Sequence, residues 1–586
     1  MKKVVGFVLC GALVAGGCAS GAQTRSDAAY VRVDQVGFLP SEAKLAYLMS
    51  ARDRGSVEFR VVDGSGRTAF VGTAGGRTGA WNDEFRDVRV LDLSAVTQAG
   101  TYRIEVAGAA ASAPFWVGSD IFAPLISANA GFFHMQRDTA HRNDRQATVY
   151  RPPVYGEAGI AGENLIADGG PVDVSGGWAD AGDYLKFTHT AAYSVGAMLV
   201  AQRDSGVGVA AEAKWGMEWL ERMWDDRSGT LYAQVGIGIG NESTVSDHDS
   251  WRLPEADEAR GSDAALARRP VFRAADPGKP ISPNLAGKVT AAFALAAQVD
   301  SGESARRKFD KAVVLYRQAE RRPVGELVTA YPHAFYPEAS WQDDMEFAAA
   351  ELSLAARALG DSRAAEFARD AGEWAAAYLR SDARGTLGLG DVSALAHADL
   401  VRLIDAGMDS GGVSRAELVG DLARQLDDGV SRAAADPFGA GAEYTEFDSV
   451  PHTFGLAVTA LLYRSVTGEG TYDAFATRQR NWVLGANAWG SSFVIGVGSV
   501  FPRCPEHQIA NLSGQILTGA VVNGPNGADK LEELNRFPTM RSCATPGFES
   551  FDGQGARYVD DVGAWQTVEP ADDFTAIALL YFALAK

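Results

Sequence analysis

The chain reads as a multidomain protein in which a small β-sandwich precedes a large all-α domain. Three observations predict this. Residues 30–118 alternate apolar and polar side chains between turn signals, and from about residue 120 apolar residues recur at three- and four-residue spacing. A length of 586 residues also exceeds one ordinary core.

Residues 1–29 stand outside either fold. Lys2 and Lys3 give a positive n-region and Val4 to Ala15 an apolar h-region, ending at Ala15-Gly16-Gly17-Cys18. That order matches a bacterial lipoprotein cleavage site with Cys18 as the lipidated first residue, and ordinary signal-peptide cleavage after Ala22 is the alternative. Either route predicts export, to the cell envelope (outer membrane or cell surface) as a lipoprotein or otherwise as a secreted protein.

Within 30–118, Val57, Phe59 and Val61 alternate with Glu58 and Arg60, and Tyr102, Ile104 and Val106 alternate with Arg103 and Glu105. Asp63-Gly64-Ser65-Gly66 and Gly75-Gly76-Arg77 punctuate these runs as turns. Several short strands in this span predict a β-sandwich. No cluster of aromatics marks it as a sugar-binding module, so a packing role is expected.

Residues 119–586 carry the helices. Met345, Ala348, Ala349, Leu352, Ala355, Ala356 and Leu359 line one face and stop at Gly360, a C-terminal cap. A second helix begins at Asp361 with Ala364, Phe367, Ala368, Ala371, Trp374, Ala375 and Tyr378 on one face. Similar Ala-rich helices are read near 190–203, 209–224, 286–300, 415–433, 453–466, 472–484 and 572–585. No strands of comparable strength interrupt them, so this part is all-α.

Composition narrows the function classes. Fifty-four Lys and Arg against 74 Asp and Glu give a net charge of −20, which argues against nucleic acid as a partner. After the first twenty positions no apolar run is long enough to span a bilayer, so a soluble globular body is predicted, in contact with membrane only through lipid on Cys18. Of the four cysteines, Cys10 lies in the removed segment and Cys18 is the lipidated one. Cys504 and Cys543 remain, in an oxidising compartment, and are a candidate disulfide pair. Cys504 has only His507 nearby and Cys543 has neither Cys nor His, so no zinc pattern forms.

The most informative stretch runs from Asp173 to Phe187. Asp180 and Asp183 lie three residues apart in a loop shaped by Gly176, Gly177 and Gly182, with Trp178 beside them. Two nearby carboxylates cannot both ionise freely, so one can serve as a poised base. An aromatic ring next to such a pair suits the apolar face of a sugar. In isolation, Asp-Ala-Gly-Asp would equally fit a helix cap or a calcium loop.

Ser175 to Trp178, Asp180 to Asp183, Lys186 and Phe187 resemble the aspartate signature of glycoside hydrolase family 9, close to S-G-G-W-Y-D-A-G-D-H-x-K-F; Ala179 and Tyr184 depart from it. Further segments resemble the family in collinear order. They are Asp247-His248 to Pro254-Glu255 around Trp251, Trp341 to Ala349 (with Asp344 in place of Glu), Trp482 to Asn487, and Thr518 to Asn526. Tyr558-Val559-Asp560-Asp561 and Thr567 to Asp573 follow. Val31 to Pro40 resembles the start of the immunoglobulin-like domain that precedes many family members.

The resemblance implies an (α/α)6 barrel whose inter-helix loops form a cleft, preceded by an immunoglobulin-like sandwich. It also implies an inverting glycosidase with Glu569 as general acid, Asp183 as base and Asp180 sharing the water. Trp178, Trp251, His507 and Tyr558 are its implied substrate contacts. No organic cofactor is required; structural zinc and calcium occur in some relatives, and calcium is left open here. The implied partner is a β-1,4-glucan polysaccharide or oligosaccharide, such as cellulose or mixed-linkage glucan, cleaved by an endoglucanase-like enzyme. Two departures bear on substrate. Val568 replaces an Asn beside the acid, and Pro505-Glu506-His507-Gln508 replaces a substrate-gripping P-H-H-R. The altered segment favours one alternative, an exo-acting cellodextrinase or glucosaminidase-like enzyme; a second alternative, a non-catalytic glycan-binding lipoprotein, is opposed by the retention of Asp180, Asp183 and Glu569 together.

Overall fold

The computed structural model describes residues 28–152, 166–239, 246–259, 266–322 and 326–586. Lys2, Lys3, Cys18 and Ala22, on which the export reading rests, lie outside the described residues.

Nine strands make the sandwich: β1 Ala29–Arg32, β2 Gly37–Phe38, β3 Leu45–Ser50, β4 Glu58–Asp63, β5 Thr68–Thr73, β6 Arg77–Gly79, β7 Asp87–Asp92, β8 Gly100–Val106 and β9 Phe115–Val117. They form a four-stranded sheet, β1-β3-β7-β6, facing a five-stranded one, β2-β9-β8-β4-β5. Ala46, Leu48, Phe59, Val61, Ile104 and Val117 fill the space between them. The outer face of the five-stranded sheet is polar, with Arg60 and Glu105 paired across it at 3.0 Å.

The four-stranded sheet is buried on both sides, which is why Leu45-Ala46-Tyr47-Leu48-Met49 lacks alternation. Ala46 and Leu48 point into the sandwich, while Tyr47 and Met49 join the core of the helical part. Trp81 anchors this junction, edge-on to Phe438 and Trp489, with its Nε1 donating to Phe551 O at 2.6 Å. Buried Arg480 reaches across to Asp34 (3.3 Å) and Glu42 (2.7 Å). These contacts support the packing role expected for residues 30–118.

Twelve longer helices follow among the described residues: α1 Ala123–Gln136, α2 Thr188–Ser205, α3 Ala210–Arg222, α4 Pro283–Val299, α5 Gly302–Gln318, α6 Gln342–Leu359, α7 Ala364–Leu379, α8 Ser393–Asp405, α9 Arg415–Ala435, α10 Ser449–Thr467, α11 Asp473–Val483 and α12 Asp572–Leu584. The even-numbered six close a ring, α2 on α4, α4 on α6, α6 on α8, α8 on α10, α10 on α12 and α12 back on α2. Each odd-numbered helix backs an inner neighbour, α1 against α12 and α3 against α2. This is an (α/α)6 barrel.

Composition explains the layering. Inner helices are buried all round, as α4 is from Pro283 to Ala297, and their alanines allow close approach. At Gly287 an added Cβ would lie 2.7 Å from the Asp344 backbone, so only glycine fits the crossing of α4 with α6. Outer helices bury one stripe only; α5 buries Phe309, Val313 and Tyr316 and turns its charged residues outward.

One feature departs from the all-α expectation. Among the described residues ten short strands sit among the loops, four of them in two isolated pairs near the C-terminus; the other six are β10 Ala147–Tyr150, β11 Ala167–Val172, β12 Lys186–Phe187, β13 Trp224–Asp225, β14 Thr230–Val235 and β15 Val271–Arg273. These six form a sheet in the order β11-β10-β15-β14-β12, with β13 paired to β14. Being two to six residues long and scattered between helices, they leave little period-2 signal. Their importance is positional, because β12 leads the Asp180–Asp183 loop directly into α2.

Candidate active site

The aspartate loop is held from beneath by buried charge. Lys186, at the end of the loop, donates to Asp144 Oδ2 (2.8 Å), Val174 O (3.0 Å) and Gly176 O (2.8 Å). Arg269 holds Asp138 and Asp144 in turn, at 2.6 and 2.7 Å. Gly177 has φ 78°, and a Cβ there would strike Trp219 at 2.7 Å, so glycine is required for this turn. Gln136 Nε2 donates to both Ala179 O and Ala181 O at 2.9 Å, clamping the chain on either side of Asp180.

Three segments bring carboxylates together. The Asp183 Oδ1 accepts the Leu185 N–H at 2.7 Å. Asp180 O accepts the Asp572 N–H at 3.0 Å, which ties the aspartate loop to the stretch after Glu569. Glu569 O accepts the Asn523 N–H at 3.1 Å, which fixes that stretch from its other side. Glu506 lies against the loop as well: a Cβ at Gly182 would be 2.6 Å from its Oε2.

Burial and mutual repulsion set the protonation of this group. Burial pushes Asp180 up to about 7, with Tyr336 opposing and Asp183 adding to it. The Tyr336 hydroxyl donates to Asp180 Oδ2, while Asp180 Oδ1 is buried with no partner. Burial also raises Asp183, moderated by the facing His248. Glu569 is driven well above the usual carboxylate range by burial and then by the facing Glu506, so it is held protonated. Burial and Asp183 push Glu506 to about 8. His248 is bonded to Asp249 at 2.9 Å; burial works against its charge, but Asp249, Asp183 and Glu569 outweigh that and raise its pKa.

The structure brings together the segments that carry Asp180, Asp183 and Glu569, and it buries the four residues expected as substrate contacts. Trp178 is 2% exposed, edge-on to Phe133 at 5.0 Å and lodged where Gly216 leaves room. It belongs to the core between α1 and α3. Tyr558 is likewise a core ring, 1% exposed and packed on Phe493 and Phe548. His507 is buried; its Nε2 bonds Gln136 Oε1 at 2.9 Å and its Nδ1 caps the short helix Gln508–Ser513. Burial lowers its pKa to about 3, so it is neutral and positions the loop through Gln136. Trp251 is 3% exposed, with Phe537 stacked over it at 5.9 Å. It offers no free face to a sugar.

Three residues were missed as cleft groups. His248 lies in the same motif as Trp251, three residues before it. Glu506 lies inside the departing Pro505–Gln508 segment, where a carboxylate stands in place of a family His. Tyr336 sits in a loop between α5 and α6 with no motif, and no sequence signal marks it.

Among the described residues no cluster of three or more His, Cys, Asp or Glu could hold a metal ion. Cys504 and Cys543, the only cysteines there, are joined in a disulfide. With both thiols held in that bond, neither is available to ligate zinc. Among the described residues no helix is long and apolar enough to cross a membrane.

Residues 122–582 match the model of glycosyl hydrolase family 9. The chain belongs to that family. Residues 26–111 match the cellulase N-terminal ig-like domain. The chain is 26% identical to Endoglucanase C of Cellulomonas fimi over 92% of its own length, and it spans 50% of that relative. It is 24% identical to the xyloglucan-specific endo-beta-1,4-glucanase of Bacteroides ovatus, covering 85% of this chain and 86% of the relative. A metagenome-derived glycoside hydrolase family 9 endoglucanase shares the fold, with TM-score 0.71, 22% identity, and coverage of 95% and 98% of the two chains. The chain spans about half the length of the first curated relatives it matches.

Proposed function

We propose that this protein hydrolyses β-1,4-glucosidic bonds in cellulose, mixed-linkage glucan or a related β-glucan, with inversion at the anomeric carbon. The observation that carries this reading is that Asp572 N donates to Asp180 O at 3.0 Å, which ties the stretch carrying Glu569 to the Asp180–Asp183 loop. Inversion needs an acid to protonate the leaving oxygen and a carboxylate to activate water on the opposite face, about 6.5–9.5 Å away. Glu569, held protonated by burial and by Glu506, is suited to the acid role. Asp183 is the base: its Oδ1 is engaged by the Leu185 N–H, which leaves Oδ2 for water. Asp180 shares that water and is itself oriented by Tyr336.

The test is proton NMR of the product before mutarotation, with β-glucans, xyloglucan, glucomannan and chito-oligosaccharides offered in parallel. A product of inverted configuration from a β-1,4-glucan supports the proposal. Retention removes Asp183 as a base acting through water, and activity confined to chito-oligosaccharides moves the substrate to amino sugars. In the cell the same reading places the enzyme outside the cytoplasm, tethered through Cys18.

A further inference from the structure

Residues 532–543 cross from one wall of the cleft to another. One foot stands on the stretch leading to Glu569: Asn535 N donates to Gly563 O at 2.7 Å, and Arg536 pairs with Asp561 at 2.9 Å. The other foot stands beside Glu506. There Arg541 and Asn511 exchange two hydrogen bonds, at 2.8 and 2.7 Å, and Cys543 is joined to Cys504. Between the feet, Phe537 stacks on Trp251 at 5.9 Å and meets the edge of His248 at 5.8 Å. The Thr539 hydroxyl donates to Trp251 O. The segment is thus fastened to three walls, those of Glu569, of His248 and Trp251, and of Glu506.

An endo-acting enzyme must admit a polymer lengthwise, with sugars running out on both sides of the cleaved bond. A segment bonded to three walls obstructs such a path, and lifting it would break every contact just named. We infer that residues 532–543 are a strap that confines this enzyme to chain ends and short oligosaccharides, with Phe537 as the residue that sets this limit. The inference rests on the hydrolase reading above and adds to it the size class of the substrate. It also accounts for Trp251, whose ring is covered by part of the chain itself and not by substrate.

The experiment compares the full chain, Phe537→Ala, and a variant in which Arg536–Met540 is replaced by glycines with Cys543 kept. Each is given soluble mixed-linkage β-glucan, carboxymethylcellulose and cellohexaose. Viscosity is followed against new reducing ends, and products are separated by size. The wild type is expected to release a small product from the outset, with viscosity lagging well behind bond cleavage. Both variants should then show a several-fold larger viscosity loss per bond and a ladder of intermediates. An immediate ladder with collapsing viscosity from the wild type overturns the strap and leaves the hydrolase reading standing. So does a wild-type product pattern retained by Phe537→Ala, whether or not the glycine variant folds. Failure of the wild type to cleave any of the three substrates overturns the β-glucan reading and the strap with it.

Discussion

Asp180 is costly to the fold, and replacing it by Asn should reveal that cost as a function of pH. Its carboxyl rises from 3.8 to about 7 because burial penalises the charge. At about 1.4 kcal/mol per pH unit, the folded state gives up roughly 4 kcal/mol by keeping this group charged at high pH, an upper figure because Asp183 titrates beside it. The direction follows from linkage. Below the unfolded value near 4 both states are protonated and the full stability is present. Between there and about 7 the unfolded chain releases its proton while the folded one retains it, so stability falls as pH rises. Asp180→Asn abolishes this dependence. The amide can still accept from Tyr336, but its NH2 takes the place of the unpartnered Oδ1 and costs about 1–3 kcal/mol if unsatisfied. That cost does not vary with pH, so the slope is the clean readout. Melting temperatures of both proteins should be measured from pH 4 to pH 8. The variant should gain steadily on the wild type across this window while losing activity. A constant offset at all pH values would refute the reasoning.

Asp183→Asn and Glu569→Gln should each lose ~10²–10⁴-fold in kcat while remaining folded. A substrate with a very good leaving group should partly rescue Glu569→Gln alone. Tyr336→Phe keeps the ring but removes the donor to Asp180, so the Asp180 pKa should rise further and the acidic limb of kcat/KM should move to higher pH. A purely structural role would lower the melting temperature and leave that limb in place. Arg480→Met strands the buried Asp34 at the sandwich junction and should cost about 3–5 kcal/mol in denaturant unfolding. Cys18→Ala should move the protein from the membrane fraction to the soluble periplasmic or extracellular fraction.

The layering of this molecule was legible where burial follows a simple period. Met345 to Leu359 shows a helical stripe because apolar and small residues recur there at regular spacing, and Gly360 ends it in a left-handed cap. Helix α8 was not read, although it is an inner helix. Ser393, His397 and Asp399 are fully buried polar residues on it, and they break up the apolar pattern. His397 is paired there with Glu346 at 2.7 Å, a partner distant in sequence. Asp180 and Asp183 stood out because they sit in a longer glycine and aspartate run that resembles a family signature, while Glu569 was marked by that resemblance alone. Which aromatic rings face the cleft was not legible, since Trp178 and Trp251 sit in motifs of similar character. Their different neighbours, Phe133 in the core and Phe537 on the strap, lie far along the chain.

The Pro505–Gln508 segment shows how a departure from a family pattern can be misread as simple loss. Gln508 is fully buried, accepts the Arg252 N–H at 3.1 Å and donates to Asp247 O at 2.9 Å and His248 O at 3.2 Å. Its amide therefore holds the loop that carries His248, a task needing both a donor and an acceptor, which a guanidinium lacks. His507 holds the opposite side by bonding Gln136, the clamp on Ala179 and Ala181. Two of the four residues thus brace the reacting carboxylates from behind, and Glu506 alone among the segment's side chains confronts them, facing Asp183 and Glu569. Replacing a basic grip by an acidic wall changes what the cleft does electrostatically. Glu506 raises the acid's pKa and is itself raised by Asp183, so these carboxyls compete for protons, which favours Glu569 in the protonated form that leaving-group departure requires.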